Sequence, residues 1–324
     1  MLRIGIVGLG GMGIVHYKNY LHIDGCEVVA AVCNSERSRK KAKEFNLTPY
    51  DDVRSMVTNE NIDVIDICTP TYLHKKYVIE SLNLGKHVIV EKPIALHKED
   101  AQEMFELADR KDLLLFVGHV VQFTKETEIL RDAVISQKYG KALDGYFKRL
   151  TARPQWTKDG WLFDKNKSGV LPFDLHIHDL DLIISLFGTP KDYNFSSCGR
   201  MELDYKEAYR FNYEFENLNV TAEAAWYNAD YPFTATWRIY FERAVLEYDG
   251  VDLILYQPNK EPFYYDLKEE VVISTGINLP PTGMFYNQLS HFISCINQGI
   301  PSDIVCGKQV IKGIEILEDI LKRE

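Results

Sequence analysis

Residues 2–13 read LRIGIVGLGGMG, an apolar run that ends in a cluster of glycines. Ile4, Ile6 and Val7 have too few polar neighbours for an exposed strand, so they predict a strand that is buried on both faces. A helix-like segment follows and extends to about Leu21. The run therefore predicts a strand, a tight turn and a helix in immediate succession.

The glycines have the spacing G-x-G-x-x-G, which between a strand and a helix predicts a dinucleotide-binding turn. Gly8 permits the tight turn after the strand, and Gly10 lets the backbone approach a pyrophosphate. Gly13 lets the helix pack close to the strand, so that the helix N-terminus faces the anion. Gly11 and Met12 complete the predicted cofactor contacts of this loop. The alternative is a glycine-rich turn that binds no ligand.

Up to about residue 120, short apolar runs alternate with segments of helical periodicity, which is typical of a doubly wound parallel α/β sheet. Further strands are predicted at 27–33, 48–50, 63–68, 87–90 and 113–117, and helices at 35–45, 52–57, 72–84 and 98–111. Ligands of such sheets bind outside the carboxyl ends of the strands. This rule places along one edge the glycine loop, Asn34, Thr69 to Thr71, Lys92 and His119.

After about residue 122, long strand patterns follow one another with few helices between them, which predicts a large, mostly antiparallel open sheet. Strands are expected at 143–153, 205–216, 219–227, 233–242 and 244–248, and helices at 125–137, 169–187, 284–298 and 308–321. A chain of 324 residues is long enough for two domains. We predict a dinucleotide-binding Rossmann domain at 1–122 and an α+β substrate-binding and oligomerisation domain at 123–324.

Aromatic side chains alternate along one of the later strands, at Tyr209, Phe211, Tyr213 and Phe215. Two interpretations are open: a core face beneath helices, or an apolar sheet face available for self-association. Because few helices are predicted to cover both faces of so large a sheet, we expect a homo-oligomer, a dimer or a tetramer, formed through it.

Composition and charge exclude several classes of protein. A hydrophobic fraction of 46% is ordinary for a globular chain, and a net charge of -10 argues against a nucleic-acid surface. No stretch reaches the ~18 apolar residues of a membrane span, and no signal-peptide pattern follows Met1. The six cysteines form no C-x-x-C pair and predict reduced thiols. We therefore expect a cytoplasmic protein with neither a nucleic-acid nor a membrane partner.

Glu91, Lys92 and Pro93 end the predicted strand at 87–90. The proline restricts Lys92 to an extended backbone and removes the donor that would follow it. An ammonium fixed at this edge is able to meet a substrate oxygen. A solvated lysine at the end of a strand is the alternative.

Asp174, His178 and Asp181 lie at i, i+4 and i+7 of the predicted helix at 169–187, which places them on one stripe. A carboxylate and an imidazole on one face make an acid/base and orienting pair. The alternative is a capping aspartate and a core histidine. His176 and His178 also form His-x-His, but two helical side chains at this spacing point about 200° apart. They cannot share one metal ion, and we predict no metal site.

The position that reads the ribose lies at the end of the second strand, where folds that prefer NAD usually carry Asp or Glu. Here the sequence has Asn34 and Ser35, which suit either a 2′-hydroxyl or a 2′-phosphate. Arg37 or Arg39 is able to neutralise the phosphate, and Glu36 is expected in the first turn of the next helix. The cofactor is thus NAD or NADP, with a slight preference for NADP.

Taken together, these motifs resemble those of the Gfo/Idh/MocA family, the relatives of glucose–fructose oxidoreductase and inositol dehydrogenase. The resemblance covers essentially the whole chain. It rests on motifs that occur in the family's order: Gly8-x-Gly10-x-x-Gly13, Thr69-Pro70-x-x-x-His74, Glu91-Lys92-Pro93, Gly118-His119 and Asp174-x-x-x-His178-x-x-Asp181.

The resemblance implies NAD(P)-dependent oxidation or reduction of a sugar, cyclitol or related polyol, with Lys92, Asp174 and His178 as the catalytic group. It also implies cofactor contacts from the two loops at the strand ends, which comprise Thr69, Pro70, Thr71, His74, Glu91 and Lys92. Two positions depart from the family. Gln122 stands where an arginine is frequent, and Ser168-Gly169-Val170 stands where many members have a Gly-Gly run.

The working hypothesis is hydride transfer between the nicotinamide and a secondary alcohol or its ketone. His178 is the preferred acid/base, Asp174 orients the substrate or His178, and Lys92 stabilises the developing alkoxide. A non-catalytic dinucleotide-binding regulator or sensor on the same fold is the alternative. The sequence does not name the substrate, because sugar pockets follow no short motif.

Overall fold

The computed structural model describes residues 1–274 and 283–324. It forms two compact units, Met1–Phe123 with Glu269–Ile314, and Thr124–Lys268 with Glu315–Glu324. The first break follows the predicted boundary at 122/123 by one residue. The segment from Glu269 to Ile314, which we had assigned to the second domain, groups instead with the first unit.

The first half of the chain alternates strands and helices as predicted. Its elements are β1 Leu2–Val7, α1 Gly11–Tyr20, β2 Cys26–Val32, α2 Glu36–Glu44, β3 Thr48–Tyr50, α3 Val53–Asn59, β4 Val64–Ile67, α4 His74–Asn83, β5 His87–Glu91, α5 Lys98–Arg110 and β6 Leu115–Gly118. The six strands form one parallel sheet in the order β3-β2-β1-β4-β5-β6. This is the order of a dinucleotide-binding Rossmann sheet, and the predicted fold class is confirmed.

The second half of the chain is rich in strands. Its elements are α6 Lys125–Ile135, β7 Ala142–Ala152, α7 Lys165–Ser168, α8 Ile177–Phe187, β8 Asp192–Cys198, β9 Ala208–Glu214, β10 Asn219–Tyr227, β11 Thr234–Phe241, β12 Ala244–Tyr248, β13 Leu253–Tyr256, β14 Phe263–Tyr264, α9 Met284–Gln298 and α10 Gly307–Arg323. The eight strands form one sheet in the order β14-β13-β12-β11-β7-β10-β9-β8. Only the β10–β7 pairing among these strands is parallel, which fits the prediction of a mostly antiparallel sheet.

The alternating aromatics of β9 belong to the core of the second unit. Tyr209, Phe211 and Tyr213 are at most 1% exposed, whereas the residues between them face solvent. The ring of His176, just before α8, stacks on Phe211 at 3.8 Å. Of the two interpretations of this pattern, the core face is therefore correct, and these rings offer no surface for self-association.

Helix α9 joins the first unit through its aromatic face. Phe292 stacks on Phe116 of β6, with ring centroids 4.8 Å apart, and meets Phe123 edge-on at 5.6 Å. Phe285 packs in the core with Val15 of α1. These long-range apolar contacts explain why Glu269–Ile314 groups with the Rossmann sheet although it lies far along the chain.

Within the described parts of the chain, no helix is both long and apolar enough to cross a membrane. All six cysteines are free thiols. The cytoplasmic location stays a prediction.

Candidate active site

The glycine loop is built by two positions that only glycine fits. Gly8 has φ +95°, and a Cβ there would lie 2.8 Å from the carbonyl oxygen of Cys68. A Cβ at Gly13 would lie 2.1 Å from the carbonyl oxygen of Gly8. Both contacts are with backbone, which cannot move aside as a flexible side chain would. These two glycines therefore shape the turn and bring α1 against β1, as predicted.

Gly10 and Gly11 have a different environment. A Cβ at either position would meet nothing within 4 Å, and both residues are exposed. Gly10 is the N-cap of α1 and makes no side-chain capping bond. The amides of the first helical turn thus open onto free space, where an anion is stabilised by the N–H groups and the helix dipole. The loop fits the pyrophosphate of a dinucleotide. Met12, also predicted here, is partly buried and packs against the apolar cluster around Val15.

The end of β2 presents the three residues predicted to read the ribose. Asn34, Ser35 and Arg37 are all exposed. Ser35 caps α2, since its Oγ accepts the Ser38 amide at 3.2 Å. Arg39 forms an ion pair with Asp51. Asn34 in the loop and Arg37 in the first turn of α2 therefore have exposed side chains, whereas the Ser35 hydroxyl and the Arg39 guanidinium already have partners in the protein.

Lys92 emerges from an otherwise buried segment. Every residue of 88–95 is buried except Lys92, which is partly exposed. Its backbone N–H donates to Oε2 of Glu91 at 3.2 Å. Since β1 and β5 are parallel strands of one sheet, Lys92 leaves the same edge as the glycine loop. The Lys92–Pro93 peptide bond is cis.

His74 connects the two loops that follow β4 and β5. Its Nδ1 lies 2.8 Å from the carbonyl oxygen of Pro93, and its Nε2 lies 2.8 Å from that of Thr69. The ring is buried, and burial lowers its pKa although both carbonyls act in the opposite direction. Both ring nitrogens of His74 face backbone carbonyls, and its predicted cofactor contact stays a prediction. The His74 side chain therefore holds the two loops together. Thr69 and Pro70 are partly exposed at the edge of the sheet, and Thr71 is buried.

A buried polar cluster lies behind these loops, and sequence reasoning missed it. His16 of α1 is completely buried, with Nδ1 2.8 Å from Oδ2 of Asp66 and Nε2 3.0 Å from Oε1 of Glu91. Tyr20 donates to the same Asp66 oxygen at 3.0 Å, and Cys68 Sγ lies 3.4 Å from His16 Nδ1. Among the described residues, His16, Asp66 and Cys68 are the group whose donor atoms come close enough to suit a metal ion.

The sequence did contain one signal for this cluster. Asp66 stands alone in the apolar strand β4, where a buried carboxylate requires a partner. Glu91, whose predicted cofactor contact stays a prediction, places its carboxylate in this cluster. The charges support each other: Asp66 holds the pKa of His16 well above 6.5 against the effect of burial. In turn, His16 lowers the pKa of Glu91 although burial opposes this, and burial raises the pKa of the Cys68 thiol to about 12.

Asp174 and His178 stand out in the second unit. Within 168–184 all residues are buried except these two, which are partly exposed. Residues Pro172–His176 form a π-helical turn, and α8 starts only at Ile177. Such a turn takes more residues than an α-helical one, which breaks the spacing assumed for the predicted stripe. Asp181 lies one turn after His178 in α8 and is buried, whereas Asp174 and His178 are partly exposed.

His176 faces the core, in contrast to its neighbour His178. Its Nε2 lies 2.7 Å from the hydroxyl of Tyr213, and the ring is fully buried. Burial, aided by Arg149, lowers its pKa to about 3, so His176 is neutral at physiological pH. The two histidines have different surroundings, as their spacing predicts.

Matches to protein-family models follow the same two parts of the chain. The model described as the oxidoreductase family with an NAD-binding Rossmann fold matches residues 2–119, and the GFO/IDH/MocA C-terminal domain matches residues 127–247. The chain belongs to the Gfo/Idh/MocA family. The resemblance inferred from the motifs is confirmed.

Relatives of this chain include dehydrogenases named for a cyclitol and for a glucoside. Myo-inositol 2-dehydrogenase of Thermotoga maritima is 29% identical over 189 residues, which are 58% of this chain and 55% of that protein. D-glucoside 3-dehydrogenase of Escherichia coli is 31% identical over 196 residues, with the same two shares. The chain thus spans about half the length of the curated relatives it matches.

Solved structures extend the likeness of fold to nearly the whole chain. Levoglucosan dehydrogenase, solved in complex with NADH and levoglucosan, has a TM-score of 0.84. The alignment covers 99% of this chain and 96% of that one at 19% identity. At this identity the likeness concerns the fold alone.

This family member differs from many others just before the aspartate. Gly169 has φ +72°, and a Cβ there would lie 2.4 Å from the ring of Phe173. Val170, where a second glycine is frequent in the family, is buried with φ +50°. A β-branched residue in the left-handed region is strained. Its amide donates to Ser168 Oγ at 2.8 Å, which helps to hold this conformation.

Proposed function

We propose that this protein is an NAD(P)-dependent dehydrogenase or reductase that acts on a secondary alcohol or ketone of a sugar, cyclitol or related polyol. The observation that carries this function lies in the first unit. An open glycine loop at the N-terminus of α1 shares one sheet edge with Lys92, the partly exposed side chain of a buried segment. A cofactor site and a cation able to bind a substrate oxygen at one edge suit hydride transfer to or from a carbinol.

Lys92, Asp174 and His178 are the catalytic residues in this proposal. The bound nicotinamide accepts or donates the hydride. Lys92 stabilises negative charge that develops on the substrate oxygen, and His178 takes or gives the proton. Asp174 orients the substrate or His178. Partial exposure of all three, in segments that are otherwise buried, supports these roles.

The cofactor contacts are proposed for the pyrophosphate and for the nicotinamide of the dinucleotide. The pyrophosphate lies against Gly10 and Gly11, and Thr69 and Pro70 form a wall for the nicotinamide. NAD or NADP is the cofactor, with a slight preference for NADP because no carboxylate directly follows β2. The exposed guanidinium of Arg37 supports that preference.

The substrate class follows from the chemistry of the relatives. Two of them are named as a myo-inositol 2-dehydrogenase and a D-glucoside 3-dehydrogenase, both of which act on ring hydroxyl groups. We propose a substrate of the same kind for this chain. Gln122, buried where an arginine is frequent in the family, favours an uncharged substrate.

One assay tests this function. A panel of polyols, sugars and keto-sugars is followed by absorbance of the reduced nicotinamide, with NAD and NADP in parallel. Turnover of a member of the panel is expected. Fluorescence that shows NADH binding, together with no turnover on any member, would favour the alternative of a dinucleotide-binding regulator.

Self-association is proposed on a new basis, because the β9 aromatics lie in the core. Tyr240 of β11, Tyr256 of β13, and Phe263 and Tyr264 of the edge strand β14 are between 38% and 59% exposed, and they offer apolar surface on the same sheet. Light scattering after size exclusion is expected to give the mass of a dimer or tetramer. A mass of 37.4 kDa at micromolar concentration, which is the mass of a single chain, would contradict self-association.

A further inference from the structure

We propose that His16 is a positioning residue: a buried imidazolium that holds the Glu91 carboxylate and, through it, the backbone of Lys92. The contacts form one chain of hydrogen bonds within the first unit. Nε2 of His16 lies 3.0 Å from Oε1 of Glu91, and Oε2 of Glu91 accepts the Lys92 amide at 3.2 Å. The link to catalysis rests on the proposed function of Lys92.

The geometry fits a His16 ring that carries two protons. Both nitrogens face carboxylate oxygens, Asp66 at 2.8 Å and Glu91 at 3.0 Å, and a carboxylate only accepts. A neutral imidazole would direct a lone pair at one of two buried anions. The imidazolium instead makes two charge-assisted hydrogen bonds, which are stronger than neutral ones.

All elements that surround His16 support the imidazolium. On α1, Tyr20 donates to Asp66, while Asp66 of β4 and Cys68, which directly follows β4, face Nδ1. On β5, Glu91 faces Nε2, and the ring of Phe285 lies 6.2 Å away. Lys92 and His74 also lower the pKa of Glu91. The cluster holds two carboxylates for one imidazolium, so His16 is the group that makes their burial tolerable.

The neighbouring strand leaves room for this carboxylate. A Cβ built at Gly118 on β6 would lie 3.0 Å from Oε1 of Glu91. Such a contact is tighter than side chains normally make, so glycine allows the strand and the carboxylate to sit together. Glu91 is thus fixed by α1 on one side and by β6 on the other, with Lys92 next to it in the chain.

A zinc ion held by His16, Asp66 and Cys68 is a different interpretation of the cluster. Ligands on one tetrahedral zinc at about 2.0 Å lie about 3.3 Å apart. His16 Nδ1 and Asp66 Oδ2 are only 2.8 Å apart, which is the length of a direct hydrogen bond. The distances therefore favour a proton between these two atoms.

The test compares His16→Gln with His22→Gln, the same substitution at an exposed histidine of the loop after α1. The glutamine side chain has one donor group, its amide nitrogen, and an oxygen that only accepts. It therefore cannot place a donor at the positions of both His16 Nδ1 and His16 Nε2. In the full chain without cofactor, the Lys92 amide resonance is expected to shift in H16Q and to stay in place in H22Q. An unshifted resonance in H16Q would overturn the link to Lys92, whether or not the protein proves to be an enzyme.

Kinetics separate positioning from simple support of the fold. In H16Q we expect kcat to fall by about 10- to 100-fold, as for a misplaced catalytic group, with the NADH Kd within about threefold of wild type. Glu91→Gln should have a similar effect, and the double variant should lose little more than either one. Additive losses in the double variant would contradict the action of His16 through Glu91. If H16Q does not fold, the kinetics and the Lys92 amide resonance of Glu91→Gln are compared with wild type instead. Stoichiometric zinc in the purified protein would overturn the imidazolium.

Discussion

Arg149 of β7 and Asp179 of α8 form a buried, two-pronged ion pair. Nη2 lies 2.7 Å from Oδ1 of Asp179, and Nε lies 3.2 Å from both carboxylate oxygens. The pair ties α8 to the eight-stranded sheet, one residue away from His178. Burial raises the pKa of Asp179, and Arg149 opposes that effect. The position of His178 therefore depends on an arginine in a neighbouring strand.

Arg149→Ala should be strongly destabilising, because it leaves Asp179 as an unpaired buried charge. We expect a loss of about 3–5 kcal/mol in the free energy of unfolding, measured by urea denaturation. Arg210→Ala is the control, since Arg210 is exposed and lies 3.8 Å from Glu223. It should cost less than about 1 kcal/mol. Equal effects of the two substitutions would mean that the buried pair is not a structural link.

The pH dependence of stability should carry the signature of His16. The folded pKa of His16 is raised above 6.5, so its contribution is complete below that pH and is lost as the pH rises through the folded value. The pKa of Glu91 is lowered from 4.5, so its contribution is complete above that pH and is lost as the pH falls through the folded value. Between pH 4.5 and pH 6.5, both His16 and Glu91 contribute their full stabilisation.

Above pH 6.5 the folded state holds one more proton on His16 than the unfolded state. The wild type should therefore lose about 1.4 kcal/mol per pH unit relative to H16Q, until the folded pKa is passed. Urea denaturation of both proteins at several pH values measures this difference. Parallel curves would show that His16 carries no extra proton in the folded protein.

Two glycines of the loop should respond differently to alanine. At Gly10 a Cβ meets nothing in the protein, so Gly10→Ala should change stability by less than about 1 kcal/mol. The added methyl group occupies the space proposed for the pyrophosphate, and NADH binding should weaken by about tenfold or more, 1.4 kcal/mol. Gly13→Ala should instead destabilise by more than about 3 kcal/mol, because its Cβ meets the Gly8 carbonyl. Unchanged NADH affinity in G10A would place the dinucleotide elsewhere.

Arg37 provides a test of the choice between cofactors. Arg37→Ala should weaken NADPH binding by about tenfold, since a charged hydrogen bond to the 2′-phosphate is lost, and should leave NADH binding unchanged. Arg39→Ala is the matched control, because that guanidinium already pairs with Asp51. Fluorescence titration with NADH and with NADPH gives the ratio of the two dissociation constants for each variant. A loss of equal size for NADH and NADPH would count against phosphate recognition by Arg37.

The sequence predicts local features of this protein well. The glycine turn, the six parallel strands and the bounds of α9 follow from periodicity and glycine placement over a few residues, where backbone sterics dominate. The partial exposure of Lys92 also agrees with the local effect of the proline that follows it. Such features need no knowledge of distant partners.

What the sequence could not predict depends on contacts between distant residues. His16 meets Asp66 and Glu91 across 50 and 75 positions, and no spacing rule links them. The aromatics of β9 were ambiguous because their alternation is the same whether helices or a second subunit cover them. The π-helical turn at Pro172–His176 likewise changes the spacing between Asp174 and the residues of α8, and periodicity does not reveal it.

Lys92 provides the most direct test of the central claim. The rate of hydride transfer is measured in a single turnover, by absorbance of the reduced nicotinamide, for wild type, Lys92→Ala and Lys111→Ala. Lys111 is an exposed lysine before β6, at the opposite edge of the sheet. We expect K92A to lose a factor of about 10² to 10⁴ in rate, with NADH still bound and K111A equal to wild type. An unchanged rate in K92A on the true substrate would contradict the account.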